Sequence, residues 1–250
     1  MTVGVDRHGA TVSTLTLDSR AVGGQLSTTV VIPAGRSNGR RPLLVFLHGR
    51  GGDERSEMSE AFFSALAKLG PRAPIVAFPD GGDHSYWHDR ADGRWGTYVT
   101  NEVIPNVTRQ FGADRRRIAI GGISMGGFGA YDIARLHPDR FCAVGGHSPA
   151  LWRSAGETAP GAFDDARDFA RHDLIAAARA DPDAFGRGPL WLDAGDADPF
   201  RPGDEALTGA LGARVTARTW PGGHDGDYWN AHWADYARFY ARALAHCRRR

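Results

Sequence analysis

The chain carries no surplus of charge. Its 30 lysines and arginines stand against 29 aspartates and glutamates, a formal net charge of +1. That excludes the broad positive field with which a protein gathers nucleic acid or an anionic membrane, so neither partner is expected. Cysteine is scarce, at two residues. Cys142 and Cys247 form no C-x-x-C pair, and two do not make a disulfide framework; Cys142, inside an apolar run, reads as a small core residue. No apolar run approaches the roughly 18 residues of a membrane span. The opening MTVGVDRHGATVSTLTLDS has no basic stretch followed by an apolar one. No signal peptide is therefore expected, and the expected location is cytoplasmic. Internal repeats and low-complexity linkers are missing too. The run Arg248-Arg249-Arg250 is the one local excess of charge and reads as a solvated tail.

What remains is a chain of 250 residues, 42% hydrophobic. That length supports one substantial core, burying about 75% of the surface of the unfolded chain. Period-two patterns at Thr11 to Leu17 and Gln25 to Ile32 read as an antiparallel hairpin. Leu43 to Leu47 (LLVFL) is apolar throughout, as a strand buried on both faces must be. Glu60 to Leu69 reads as a helix, Ile75 to Phe78 as a strand, and Thr97 to Phe111 as a helix bent by Pro105. A strand from Arg117 to Gly121, a helix from Met125 to Leu136 and a strand from Cys142 to Gly145 follow. Trp152 to Gly188 is polar and reads as a small lid or pocket wall. Strands at Leu190 to Asp193 and Val215 to Trp220 then alternate with helices near Asp204 to Leu211 and Ala231 to Cys247. Alternation of this kind gives an α/β fold: a mostly parallel central sheet, antiparallel strands at its N-terminal edge, and helices on both faces. One domain spanning residues 1–250 is expected.

Gly122-Ile123-Ser124-Met125-Gly126 fits G-x-S-x-G, and it falls between a strand and a helix. In that setting the motif is a nucleophile elbow, a sharp turn that holds the serine at the tip of the strand. Gly122 and Gly126 clear space for the turn, Gly127 and Gly129 bring the helix close to the sheet, and Gly121 is left without a role. A Gly-rich phosphate cradle is the alternative, but the G-K-[ST] ending and the G-x-G-x-x-G spacing are absent. A nucleophilic serine needs a base and a carboxylate to orient it, following in the order acid then histidine. Of ten histidines, His224 lies in PGGHDGDYW, directly after a strand and at the sheet edge where ligands bind. His172 precedes every candidate acid, and His232 and His246 fall on the last helix. In LWLDAGDADPF, Asp198 lies deepest in the loop and is the favoured acid; Asp196 is the runner-up and Asp193 falls within the strand. Backbone N–H groups of Met125 and of Arg50, in HGRGGDE, are the candidate oxyanion donors. Tyr86, Trp87, Trp95 and Trp229 are candidates for the site mouth, with Trp87 and Trp229 the expected substrate contacts. No metal or other cofactor is expected. His48 has no neighbouring ligand, and His84 and His88 lie four apart on a loop and not in an H-E-x-x-H helix.

The blocks LHGRGGDE, FPDGGDHSYWHD, TYVTNEVIPNV, GGISMGGFGAY, HPDRFCAVGGHSP, LDAGDADPF and PGGHDGDYW together resemble the putative-esterase family of α/β-hydrolases. That family includes S-formylglutathione hydrolases, feruloyl and acetyl esterases, and mycolyltransferases. The likeness runs from about Leu43 to Ala245. It implies an α/β-hydrolase fold, with Ser124 as nucleophile, Asp198 as acid, His224 as base, and Met125 and Arg50 as oxyanion donors. It implies hydrolysis of a small-molecule ester or thioester. The alternatives are an acyltransferase with the same triad, passing the acyl group to an alcohol or amine, and a non-catalytic binding protein of the same fold. The sequence is silent on oligomeric state.

Overall fold

A computed structural model of the chain describes residues 3–6, 8–37 and 39–247. The reading of Arg248-Arg249-Arg250 lies outside them. In chain order the strands are β1 (Val3–Val5), β2 (Thr11–Ser19), β3 (Gly24–Ile32), β4 (Leu43–Leu47), β5 (Ile75–Pro79), β6 (Asp89–Arg90), β7 (Gly93–Arg94), β8 (Ile118–Ile123), β9 (Val144–His147), β10 (Leu190–Gly195) and β11 (Val215–Trp220). The helices are α1 (Glu60–Lys68), α2 (Trp95–Thr97), α3 (Ile104–Gln110), α4 (Met125–Leu136), α5 (Ala166–Arg171), α6 (Leu174–Ala180), α7 (Arg201–Leu211) and α8 (Gly226–His246). Nine strands form one sheet in the order β1-β2-β3-β5-β4-β8-β9-β10-β11. β1 to β3 and the β3–β5 pair are antiparallel; along the rest of this sheet, β5-β4-β8-β9-β10-β11, every pair is parallel, while β6 and β7 form a separate antiparallel pair. The protein thus has the expected α/β architecture with an antiparallel edge.

Side chains alternate across a strand, and here the alternation splits the core into two layers. Leu43, Val45 and Leu47 of β4 pack with Val99, Val103, Val107, Phe128 and Tyr131 on the α3–α4 side. Leu44 and Phe46 point the other way, onto Phe62 and Leu66 of α1 and Trp233, Tyr236 and Tyr240 of α8. β11, at the outer edge, alternates between half-buried and exposed residues, as a strand paired on one side must.

Three local readings change. The helix expected over Thr97 to Phe111 is broken: a π-turn spans Tyr98–Val103, and α3 starts one residue before Pro105. Proline has no N–H to donate and its ring clashes with the carbonyl four residues back, so the turn widens there. The last helix begins at Gly226, because Asp225 caps it by accepting the Tyr228 N–H at 3.0 Å. Finally, Cys142 is more than a core residue, since it is disulfide-bonded to Cys247 across 105 residues. α8 is 21 residues long, about 31 Å at 1.5 Å per residue. It therefore carries Cys247 from the carboxyl edge of the sheet back to the entry of β9.

Candidate active site

Ser124 joins β8 to α4 with φ 54° and ψ −115°, a conformation that costs a residue with a side chain roughly 1–3 kcal/mol. Its surroundings hold it there: the Ser124 N–H donates to the His147 carbonyl at 3.1 Å, and its own carbonyl accepts from Ala150 and Phe128 at 3.0 Å each. The turn is tight enough to demand glycine on both sides. A Cβ on Gly122 would lie 2.6 Å from the Leu47 carbonyl oxygen, and one on Gly126 would overlap that same carbonyl. Gly121, without a role in the sequence, faces Tyr240, whose hydroxyl fills the space a Cβ would need.

His224 and Asp198 come to the serine from the loops after β11 and β10. His224 Nε2 lies 2.8 Å from Ser124 Oγ, and His224 Nδ1 lies 2.8 Å from Asp198 Oδ2. The other Asp198 oxygen accepts the Phe200 N–H at 2.8 Å, so the carboxylate is anchored from behind. Asp196 does something else: its Oδ1 accepts the Gly222 N–H at 3.0 Å, which ties the two loops together. Asp193 lies in β10, buried, and accepts four hydrogen bonds. His147 Nδ1 and Trp191 Nε1 reach Oδ1 at 2.7 Å each, and the hydroxyls of Tyr228 and Tyr236 reach Oδ2 at 2.9 and 2.8 Å. His147 Nε2 in turn meets the Tyr240 hydroxyl at 2.9 Å. Burial, and after it the Asp193 carboxylate, hold all three tyrosines above the usual phenol range, so they remain donors. All three sit on α8, whose first residue is two positions past His224. The network thereby fixes the helix that follows the histidine.

Among the described residues, the backbone N–H groups of Arg50 and Met125 find no acceptor. The loop that carries Arg50 is close to the serine, since a Cβ on Gly49 would lie 3.4 Å from Ser124 Cβ. Sequence reasoning gave His48 no function, yet it pins this loop. Its Nδ1 bonds the Gly49 carbonyl at 2.8 Å while its Nε2 accepts the Gly81 N–H at 2.9 Å. Burial lowers its pKa, which keeps the ring neutral and able to accept. The Arg50 side chain, unassigned from sequence, is exposed and lies against the Tyr86 hydroxyl.

The aromatic expectations divide. Trp87 is a correction. It is fully buried and packs against Gly81 and Gly129, with its Nε1 donating to the His48 carbonyl at 3.2 Å. A left-handed turn at Tyr86 and Trp87, φ 49° and 60°, folds the indole inward, beneath the Arg50 loop. Gly129 therefore makes room for Trp87 and not for the sheet. Trp229 is half-buried with its ring 5.2 Å from that of His224, and Phe200 stands 4.9 Å from the same imidazole. Trp152 contacts both Phe200 and Phe163, at 5.6 and 5.9 Å, so the 152–188 segment does supply part of the wall. A cleft of about 1710 Å³ lies elsewhere, against Ile118, Cys142 and Pro189 at the entry ends of the parallel strands. It is remote from the serine by the length of β8, roughly 20 Å at 3.3 Å per residue.

The family model described as "Putative esterase" matches residues 19–242. An S-formylglutathione hydrolase of Paracoccus denitrificans is 26% identical over 263 aligned positions, which cover 90% of this chain and 91% of that one. Esterase Rv1288 of Mycobacterium tuberculosis is 30% identical over 145 residues, 53% of this chain but 31% of that protein. Among solved structures, an S-formylglutathione hydrolase from Agrobacterium tumefaciens superposes with a TM-score of 0.82 at 18% identity, covering 98% of this chain and 99% of its own. A ferulic acid esterase does so with a TM-score of 0.80 at 22% identity, covering 94% and 98%. These two likenesses establish the α/β-hydrolase fold. No helix among the described residues is long and apolar enough to cross a membrane.

Proposed function

From the premise that this chain belongs to the esterase family and is a carboxylic ester hydrolase, we propose that it cleaves small-molecule esters or thioesters through an acyl-enzyme on Ser124. His224 takes the Ser124 proton as Oγ attacks the acyl carbonyl, and returns it to the leaving alcohol or thiol. Asp198 holds the imidazole with Nδ1 protonated, so that Nε2 faces the serine as a base. The Arg50 and Met125 N–H groups stabilise the oxyanion, at about 3 kcal/mol for a donor of this kind. Water then attacks the acyl carbon as it gives a proton to His224, which passes it to Ser124 Oγ as that bond breaks and the acid leaves. The carrying observation is the unbroken relay of two 2.8 Å contacts from Asp198 through His224 to Ser124. Trp229, Phe200 and Trp152 beside it support an apolar pocket for the acyl or alcohol part. Ser124, Asp198 and His224 follow three strands of one sheet, which supports one domain spanning the chain.

The test is Ser124→Ala with p-nitrophenyl acetate. We expect kcat/KM to fall about 10⁴-fold or more; wild-type turnover in that variant would sink the reading. A fluorophosphonate probe should label wild type and not the variant, which separates this function from a binding protein of the same fold. Product analysis with added alcohols or amines separates hydrolysis from acyl transfer. The Cys142–Cys247 disulfide supports residence in an oxidising compartment and not the cytoplasm expected from the sequence; thiol trapping in intact cells reads this directly.

A further inference from the structure

Away from the triad and the Asp193 network, buried titratable side chains also gather around Asp168. His88 follows the Trp87 turn, Asp168 lies on α5, and His172 caps that helix. All three are buried, and one potential ligand atom from each lies within 4.8 Å of the others. His88 Nε2 is 3.0 Å from Asp168 Oδ2, and His172 Nε2 is 3.7 Å from Asp168 Oδ1. The two imidazole centroids are 4.5 Å apart.

Hydrogen bonding alone does not use up this cluster. His172 Nδ1 lies 2.8 Å from Asp132 Oδ2, and Arg135 holds Asp132 Oδ1 at 2.6 Å. His172 Nε2 faces Asp168 Oδ1 at 3.7 Å, a gap too long for a hydrogen bond. His88 Nδ1 is buried with no partner among the described residues. Two imidazoles thus face one carboxylate through Nε2, His88 at hydrogen-bonding distance and His172 beyond it.

We propose that His88, Asp168 and His172 bind a zinc ion. Two neutral imidazoles and a carboxylate are a zinc donor set, whereas calcium and magnesium require more oxygen ligands than the cluster offers. Tetrahedral bonds of about 2.0–2.1 Å place ligand atoms about 3.3 Å apart; the two imidazole nitrogens stand 3.0 Å from Oδ2 and 3.7 Å from Oδ1 of the carboxylate between them. The outer shell a zinc site needs is already built. Asp132 orients His172, while Arg171 at 2.8 Å and the Asp164 N–H at 2.9 Å hold Asp168. The ion would join three segments: the loop carrying Tyr86, helix α4 that starts at the nucleophile, and the 152–188 wall. Phe163 of that wall stacks on His88 at 5.2 Å, so the ion would brace the wall without touching Ser124.

The experiment uses untagged wild-type chain. It is stripped with a chelator, dialysed, titrated with zinc chloride, and read by elemental analysis and thermal unfolding. We expect one zinc per chain and a rise in Tm of about 5–10 °C at a hundredfold excess over Kd. Cobalt(II) in its place should give the visible absorption of a tetrahedral site. Asp168→Asn and His172→Gln should each lose the stoichiometric ion. No uptake by the stripped wild type, or uptake with no shift in Tm, overturns the proposal. So does equal uptake by both variants, which would put the ion elsewhere. The wild-type titration and cobalt spectrum decide the matter even if neither variant folds.

Discussion

Asp193 and Asp198 lie five residues apart on one strand end, and replacing each by asparagine should fail in different ways. Asp193 is buried and accepts four hydrogen bonds, from His147, Trp191, Tyr228 and Tyr236. A bond to a charged acceptor contributes about 1.5–3 kcal/mol and a neutral one about 0.5–1.5, so losing the charge alone costs roughly 1 kcal/mol per bond. An asparagine can keep its oxygen toward Trp191, which can only donate, and toward His147 Nδ1 while that nitrogen keeps its proton. Its NH₂ then faces two tyrosine hydroxyls. These can turn to accept, but their protons are left buried and unmatched, at about 1–3 kcal/mol each. We expect Asp193→Asn to lose about 4 kcal/mol or more, a large share of the roughly 5–15 kcal/mol that holds a typical protein together. Asp198→Asn keeps an oxygen for the Phe200 N–H, so its stability should fall by about 1 kcal/mol. Its kcat/KM should drop about 10⁴-fold, because the imidazole loses its orienting acceptor. Urea unfolding followed by tryptophan fluorescence gives the first quantity, and p-nitrophenyl acetate hydrolysis in the absence of urea gives the second. If Asp193→Asn unfolds within 1 kcal/mol of wild type, the reasoning from its four donors is wrong. If Asp198→Asn keeps its turnover, the triad assignment is wrong.

Further outcomes follow from the packing and charge. Gly121→Ala should cost about 1–3 kcal/mol by overlap with the Tyr240 hydroxyl, and Tyr240→Phe should recover part of it; strict additivity in the double-mutant cycle would count against that contact. Both Asp204 oxygens are buried without partners among the described residues. Burial first, then Asp198 and Asp193, raise its pKa well above the usual carboxylate range. The folded chain therefore keeps a proton that the unfolded chain loses above about pH 4, and stability falls as pH rises from there toward the folded value. Asp204→Asn should flatten that fall and be the more stable form at pH 8, and Tm measured at pH 5 and pH 8 tests this. Denatured wild type should show no reactive thiol until reduced. Cys142→Ser should cost about 4–5 kcal/mol by the loop-closure estimate for a ring of this size, and a loss below 1 kcal/mol would contradict the estimate.

The sequence announced what is local. β4 is continuous apolar residue, and the strand–turn–helix around Ser124 is written in adjacent glycines, so both could be read directly. That His224 and Asp198 would meet Ser124 was legible because each follows a strand at an edge where ligands gather. What was hidden depends on distant partners. Gly121 has its reason 119 residues away, in Tyr240. His88 was weighed against His84, four residues off, while its actual neighbours are Asp168 and His172. Trp87 looked like a mouth residue because aromatic composition cannot report a left-handed turn. The disulfide needed α8 to be drawn at full length before its end could reach Cys142.

That bridge also governs what a protease can do. The 152–188 wall lies between Cys142 and Cys247, with Ser124 before the first cysteine and Asp198 and His224 before the second. A single cut in the wall would make two polypeptides, one bearing Ser124 and the other bearing Asp198 and His224. The sulfur link would keep the two from parting. Such a nicked chain would run as one band on a non-reducing gel and as two after reduction, with Ser124, Asp198 and His224 still covalently tethered.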